Sequence, residues 1–183
     1  ASSAVVNRIN AEIDRLAREL ALELGERLEE LSAAEVQAFL SGKYTTSSLK
    51  ALKAALDGWA VALNQSIQAE WFVSATALAG YEAAYASNLM AKAFVGIAES
   101  GVTAAQAYNA AMAQPVLGQL VKSMLSSIAE STKVRVYASI RQGISSGQTN
   151  AEVIRALRGT QALKHQDGLL QITKNDASKV VRT

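Results

Sequence analysis

With 183 residues, half of them hydrophobic, the chain is long enough to bury a sizeable core, and one proline, few aromatics and no cysteine exclude an all-β, disordered or disulfide-stapled chain and any thiolate metal site. No run approaches the roughly 20 apolar residues of a membrane-spanning helix, and no basic segment leads into an apolar one at the start, so a soluble protein made in a reducing cytoplasm is expected. The net charge of +2 is unevenly spread: residues 1–42 carry four Arg against eight acids (−4), 43–130 are balanced, and 131–183 carry nine bases against three acids (+6), which makes nucleic acid a candidate neighbour of the basic end.

From Val5 onward, Ile9, Ile13, Leu16, Leu20, Leu24, Leu28 and Leu31 recur at steps of three and four, with Arg and Glu between them. This predicts an amphipathic helix of about seven turns. Its narrow stripe fits packing on the rest of the domain or docking on another helix, and residues 1–45 are read as a helical arm whose stripe is a candidate protein-docking face. Ser32 with Glu35 forms a capping box for a short helix to about Leu40, and Ser41-Gly42-Lys43 stops it.

A second long helix is predicted from Thr46 or Ser47, on Leu49, Leu52, Leu56, Trp59, Leu63, Ile67 and Trp71, extending to about Ile97 with a bend near Gly80. Ala fills 21 of the 63 positions from Ala51 to Ala113, which lets neighbouring helices approach closely. Ser100-Gly101 reads as a stop and Thr103 as the cap of a helix through about Met112. Pro115 suits the first turn of a helix over Val116 to Ser145 that carries Leu117, Val121, Leu125, Ile128, Val136, Ile140 and Ile144, with an irregular step at 130–135 that marks a kink.

At Gly143 to Gly147 that helix must end, and Thr149 or Asn150 caps a short helix bearing Val153, Ile154 and Leu157 and closing at Gly159. Residues 163–172, around Asp167-Gly168, have the dipeptide and flanks of a two-residue β-hairpin. Thr173 with Asp176 then opens a last helix. The expected fold is all-α, with long amphipathic helices, a small helical C-terminal subdomain and this one short hairpin. Residues 46–183 are expected to form the domain behind the arm.

No catalytic constellation emerges. His165, the one histidine, has Asp167 nearby but no Gly-x-Ser-x-Gly elbow elsewhere, so a turn-stabilising or solvent-facing role is expected. One His without Cys leaves no metal site of recognisable spacing, and Gly143-Ile-Ser-Ser-Gly147 lacks the lysine and strand of a phosphate loop. No cofactor and no enzymatic activity are expected. Lys133, Arg135, Arg141, Arg155, Arg158, Lys164, Lys174, Lys179 and Arg182 remain as candidate DNA or phosphate contacts. Lys133 and Arg141 fall roughly 80° apart on the helical wheel with Arg135 on another side, so a solvated surface fits these cations as well as a DNA track does. Ala151 to Arg158 offers only Glu152, Arg155 and Arg158 for reading bases, which is little for operator recognition.

The run from Tyr137 to Gly159, the Asp167-Gly168 turn and the terminal Arg182-Thr183 together resemble the C-terminal half of the domain shared by phage minor head proteins, also called head morphogenesis proteins. The match is most specific over residues 130–183. It implies a low-copy, non-enzymatic virion protein, made in the host cytoplasm and held in the head near the portal. Its partners would be the portal protein, other head proteins and packaged double-stranded DNA bound without sequence preference. The resemblance also implies a chain continuing past Thr183, so a truncated or partial form is expected, with which Ala1 in place of an initiator Met agrees. An internal ejection protein that leaves with the DNA and acts at the cell envelope is the alternative, and under it alone is a membrane a partner.

Overall fold

The computed structural model describes residues 2–93, 103–116 and 119–182, and over them the protein is all-α. The helices are α1 (Ser2–Glu29), α2 (Ala33–Leu40), α3 (Ser47–Ala93), α4 (Ala104–Met112), α5 (Val121–Ser145), α6 (Asn150–Arg158) and α7 (Leu170–Arg182). The expected stop at Ser100-Gly101, the helix extension to Ile97, Leu117 and Thr183 lie outside the described residues.

Helix ends follow from local chemistry. Ser32 with Glu35, Thr103 with Gln106 and Thr149 with Glu152 form reciprocal capping boxes, each satisfying two backbone donors at a helix start. α5 closes in a Schellman turn: Gln148 donates to the Gly143 carbonyl (2.9 Å) and Gly147 to that of Ile144 (3.0 Å), with Gly147 at φ 77°. The glycine there supplies a left-handed conformation that a β-carbon disfavours.

α1 and α3 run antiparallel. The Trp59 indole N–H donates to the Leu16 carbonyl at 2.8 Å, while Arg8 near the start of α1 reaches Ser74 (2.6 Å) and Glu70 (3.4 Å) further along α3. α5 lies beside α3, and α6 and α7 close over α1 and α5. One buried cluster runs through all of them, from Ile9 and Leu24 through Phe39, Leu63 and Ile140 to Val153 and Ala177.

This overturns the arm. Ile9, Ile13, Leu16, Leu20, Leu24 and Leu28 are buried in the chain's own core, and Leu31 is half-buried against it. The amphipathic stripe is consumed by α3, α6 and α7, because a helix with one apolar face gains most by burying that face where neighbours are already tethered. Residues 1–45 are therefore built into the same core as the rest, and the stripe is not a docking face.

Other expectations are corrected by where backbone and polar groups find partners. α5 begins at Val121, not at Val116, because Val116 and Gln119 exchange backbone hydrogen bonds (2.8 and 3.0 Å) in an isolated bridge. α5 stays helical through the irregular step at 130–135, where Thr132 takes a core position. Its buried hydroxyl bonds the Ile128 carbonyl (2.7 Å) and meets the Thr173 hydroxyl at 2.8 Å. Thr173 is thus a core residue inside α7, which starts earlier, at Leu170. α3 passes Gly80 without a break; a β-carbon there would come within 3.2 Å of the Ala104 side chain in α4.

There is no hairpin at 163–172 and no strand among the described residues. Residues 161–167 instead form a tight turn, with Lys164 and His165 at φ 51° and 61°. The Asp167 carboxylate accepts the Thr160 N–H (2.8 Å) and hydroxyl (2.9 Å), and Leu169 donates to the Ala156 carbonyl at 3.0 Å. Asp-Gly here closes a loop onto the end of α6, where the aspartate has backbone donors to satisfy. A hairpin would have needed two strands with a sheet face to bury.

The Thr160 backbone donor, outweighing the small desolvation, holds the Asp167 carboxyl below its usual range; His165 adds to this. Glu35, through Thr46 and Ser32, and Glu152, through Thr149, are lowered in the same way. Carboxyls depressed in the folded state contribute stability that is complete above their unfolded pKa and is lost as pH falls through the folded value. Acid titration from roughly pH 5 to 2, followed by circular dichroism, is expected to show stability falling more steeply in the parent than in Asp167→Asn. Identical slopes would remove Asp167 from this account.

Candidate functional site

The nine candidate cations of the basic end do not converge. Arg135 turns to α7 and pairs with Asp176 at 3.1 Å, and Lys179 reaches the same carboxylate at 3.7 Å. Lys174 is buried against Asp14 of α1, where the pair ties α7 to the first helix. Lys174 and Arg135 tie α7 to α1 and α5, whereas Lys179 pairs within its own helix and stays exposed. Arg155, Arg158, Lys164 and Arg182 have no ion-pair partner among the described residues.

Arg155 and Arg158 occupy the last turn of α6, where cations complement the helix dipole. With Thr160, Gln161 and His165 they line a shallow depression of about 450 Å³. The His165 Nδ1 lies 3.1 Å from the Gly159 carbonyl, so the imidazole braces the turn. Among the described residues no three His, Asp or Glu side chains are grouped to hold a metal ion.

Lys133 and Arg141 come together instead on the α3-facing side of α5. Lys133, Tyr137 and Arg141 stand at successive steps of four, hence on one helix face, opposite Lys53 and Asp57 of α3 and beside Tyr44 of the loop before it. The cleft measures about 360 Å³. Asp57 is ion-paired to Lys53 and lies 3.4 Å from Lys133, and it accepts the Tyr137 hydroxyl at 3.1 Å. Desolvation of Asp57 is outweighed by these donors and cations, so its carboxyl sits below the usual range and is ionised at neutral pH. Burial, reinforced by the adjacent Asp57 charge, pushes the Tyr137 hydroxyl well above its ordinary value, which keeps it a neutral donor.

Arg141 is held differently. Its guanidinium lies over the Phe39 ring (5.5 Å to the centroid) and over Tyr137 (5.7 Å), and one terminal nitrogen donates to the Tyr44 hydroxyl at 2.9 Å. Its Nε is buried with no hydrogen-bond partner. Neither Tyr44, Lys53 nor Asp57 was legible as a site residue. The signal was the i, i+4 spacing of 53/57 and of 133/137/141, but nothing in the sequence pairs two segments some 80 residues apart.

A second surface lies at the far end of α3. Leu78, Tyr81, Tyr85 and Leu89 recur at steps of three and four, each at least half exposed. Beside them an apolar groove of about 480 Å³ opens between Trp71, Leu78, Tyr108, Met112, Val121 and Val181. An exposed apolar stripe of this kind marks an interaction surface more often than ordinary protein surface. No helix among the described residues is long and apolar enough to cross a membrane.

Comparison with known proteins adds no relative: no family model, curated protein or solved structure matches the chain significantly.

Proposed function

We propose that the chain is a non-enzymatic component of a phage virion, a minor head protein that associates with the portal vertex and acts in head assembly and genome packaging or delivery. The observation that carries this reading is the segment from Ile140 to Leu157, whose long helix, Schellman turn at Gly147 and boxed cap at Thr149 form the chain reversal that the family's motif requires. The stripe of α3, in place of the buried stripe of α1, supplies the surface offered to the portal or other head proteins. Arg155, Arg158, Lys164 and Arg182 supply salt-sensitive contacts to packaged DNA phosphates.

Cryo-electron microscopy of intact particles tests this directly. The expected result is density for these helices at the portal vertex, with the chain detected in purified heads at low copy number. Heads that lack the chain would overturn the proposal. The exposed apolar stripe of α3 also suits the alternative, an ejected protein acting at the cell envelope, which predicts leakage of anionic vesicles on addition of the purified chain.

A further inference from the structure

We infer that the cleft between α3 and α5 is a binding site for a phosphate group, held by Lys133, Arg141 and the Tyr44 hydroxyl, with Lys53 at its edge. This holds whether or not the chain belongs to a virion.

The charge count leads there. Lys53, Lys133 and Arg141 line the cleft against one carboxylate, Asp57, so two positive charges remain unneutralised at neutral pH. Lys133 and Asp57 are each about one-third exposed, and the walls are aromatic faces and helix surface. An excess of charge of one sign in a concave site concentrates counter-ions more than the same charge on a convex surface. Two net charges match a phosphate dianion better than a carboxylate monoanion.

The donors are also pre-placed. A cation serving only structure is ordinarily set against an acid, as Arg135 is against Asp176. Arg141 is instead fixed by the faces of Phe39 and Tyr137, which hold a guanidinium in place without cancelling its charge. Tyr44 accepts its hydrogen bond from Arg141, which leaves the tyrosine's own proton to give to a ligand. Asp57 pairs with Lys53 and Lys133 and so competes with a ligand for the same cations. The cleft's volume of about 360 Å³ accommodates a phosphate with part of its ester.

The test uses the full chain, titrated with sodium phosphate against sodium chloride at matched ionic strength and neutral pH, read by thermal unfolding and by backbone NMR. The expected result is a saturable rise in Tm with phosphate alone, and shifts centred on Tyr44, Lys133, Tyr137 and Arg141. Lys133→Gln is expected to abolish the saturable rise. Asp57→Asn, which removes the competing carboxylate, is expected to tighten phosphate binding roughly 15-fold, the effect of one unit charge about 5 Å from a dianion in a water-like medium. A cluster that merely braces α3 against α5 would lose stability on that change and gain no affinity. Phosphate indistinguishable from chloride, equal binding by Lys133→Gln, or weaker binding by Asp57→Asn would each overturn the inference. A short random-sequence DNA duplex that displaces phosphate from these residues identifies the ligand as nucleic-acid backbone. A duplex that leaves the phosphate shifts unchanged identifies it as a free phosphate or small phosphoester, and either result supports the cleft.

Discussion

Gly168→Ala is expected to destabilise the protein by at least about 3 kcal/mol, because the added β-carbon would meet main chain instead of a side chain that can swing away. It would lie 2.3 Å from both the Arg158 carbonyl carbon and the Gly159 nitrogen. Relief requires moving the end of α6, and with it the Leu169 to Ala156 hydrogen bond and the entry to α7, whose first residue Leu170 is buried. Gly58 is the control. No atom lies within 4 Å of its virtual β-carbon and the site is exposed within α3, so Gly58→Ala is expected to stabilise by about 0.5–1 kcal/mol through helix propensity. Urea unfolding of both variants checks the pair. A Gly168→Ala protein as stable as its parent would mean that the 159–168 loop does not pack as described.

Leu24→Ala is expected to cost about 3 kcal/mol in the isolated chain, within the range for a fully buried leucine whose cavity cannot collapse. The expectation separates two roles for α1. A docking helix would tolerate the change in the free protein and lose partner binding; a core helix loses folding stability with no partner present. Tyr85→Ser, on the exposed stripe of α3, is expected to behave in the opposite way, altering stability by less than about 0.5 kcal/mol while weakening association with whatever covers that face. Denaturant unfolding of each variant at low protein concentration decides. A Leu24→Ala chain of unchanged stability would restore α1 as a detachable arm.

The helices were legible because their causes are local. Ser32, Thr103 and Thr149 each have a Glu or Gln three residues on, Gly42 and Gly147 follow the last turns of their helices, and the leucine and isoleucine spacing sets the buried faces. Residues read wrongly were those whose partners are remote in sequence. Thr173 looks like a helix cap until Thr132, on α5, meets it in the core. Asp167-Gly168 looks like a hairpin turn until Thr160 and Arg158 are seen to take up its carboxylate and its close approach.

For function the division is sharper. By itself the sequence determined an all-α chain with a basic C-terminal third and the turn chemistry from Gly143 to Glu152, since capping, periodicity and net charge depend on neighbours a few residues apart. Only the tertiary structure decided which apolar stripe is core and which faces solvent, because the stripes of α1 and α3 have the same spacing and differ in what packs against them. It also decided which cations are consumed. Lys174 and Arg135 are held by Asp14 and Asp176, while Lys133 and Arg141 meet Lys53 and Tyr44 in a cleft. A charge is available to a ligand where the fold gathers more cations than carboxylates, and that is a property of distances between helices.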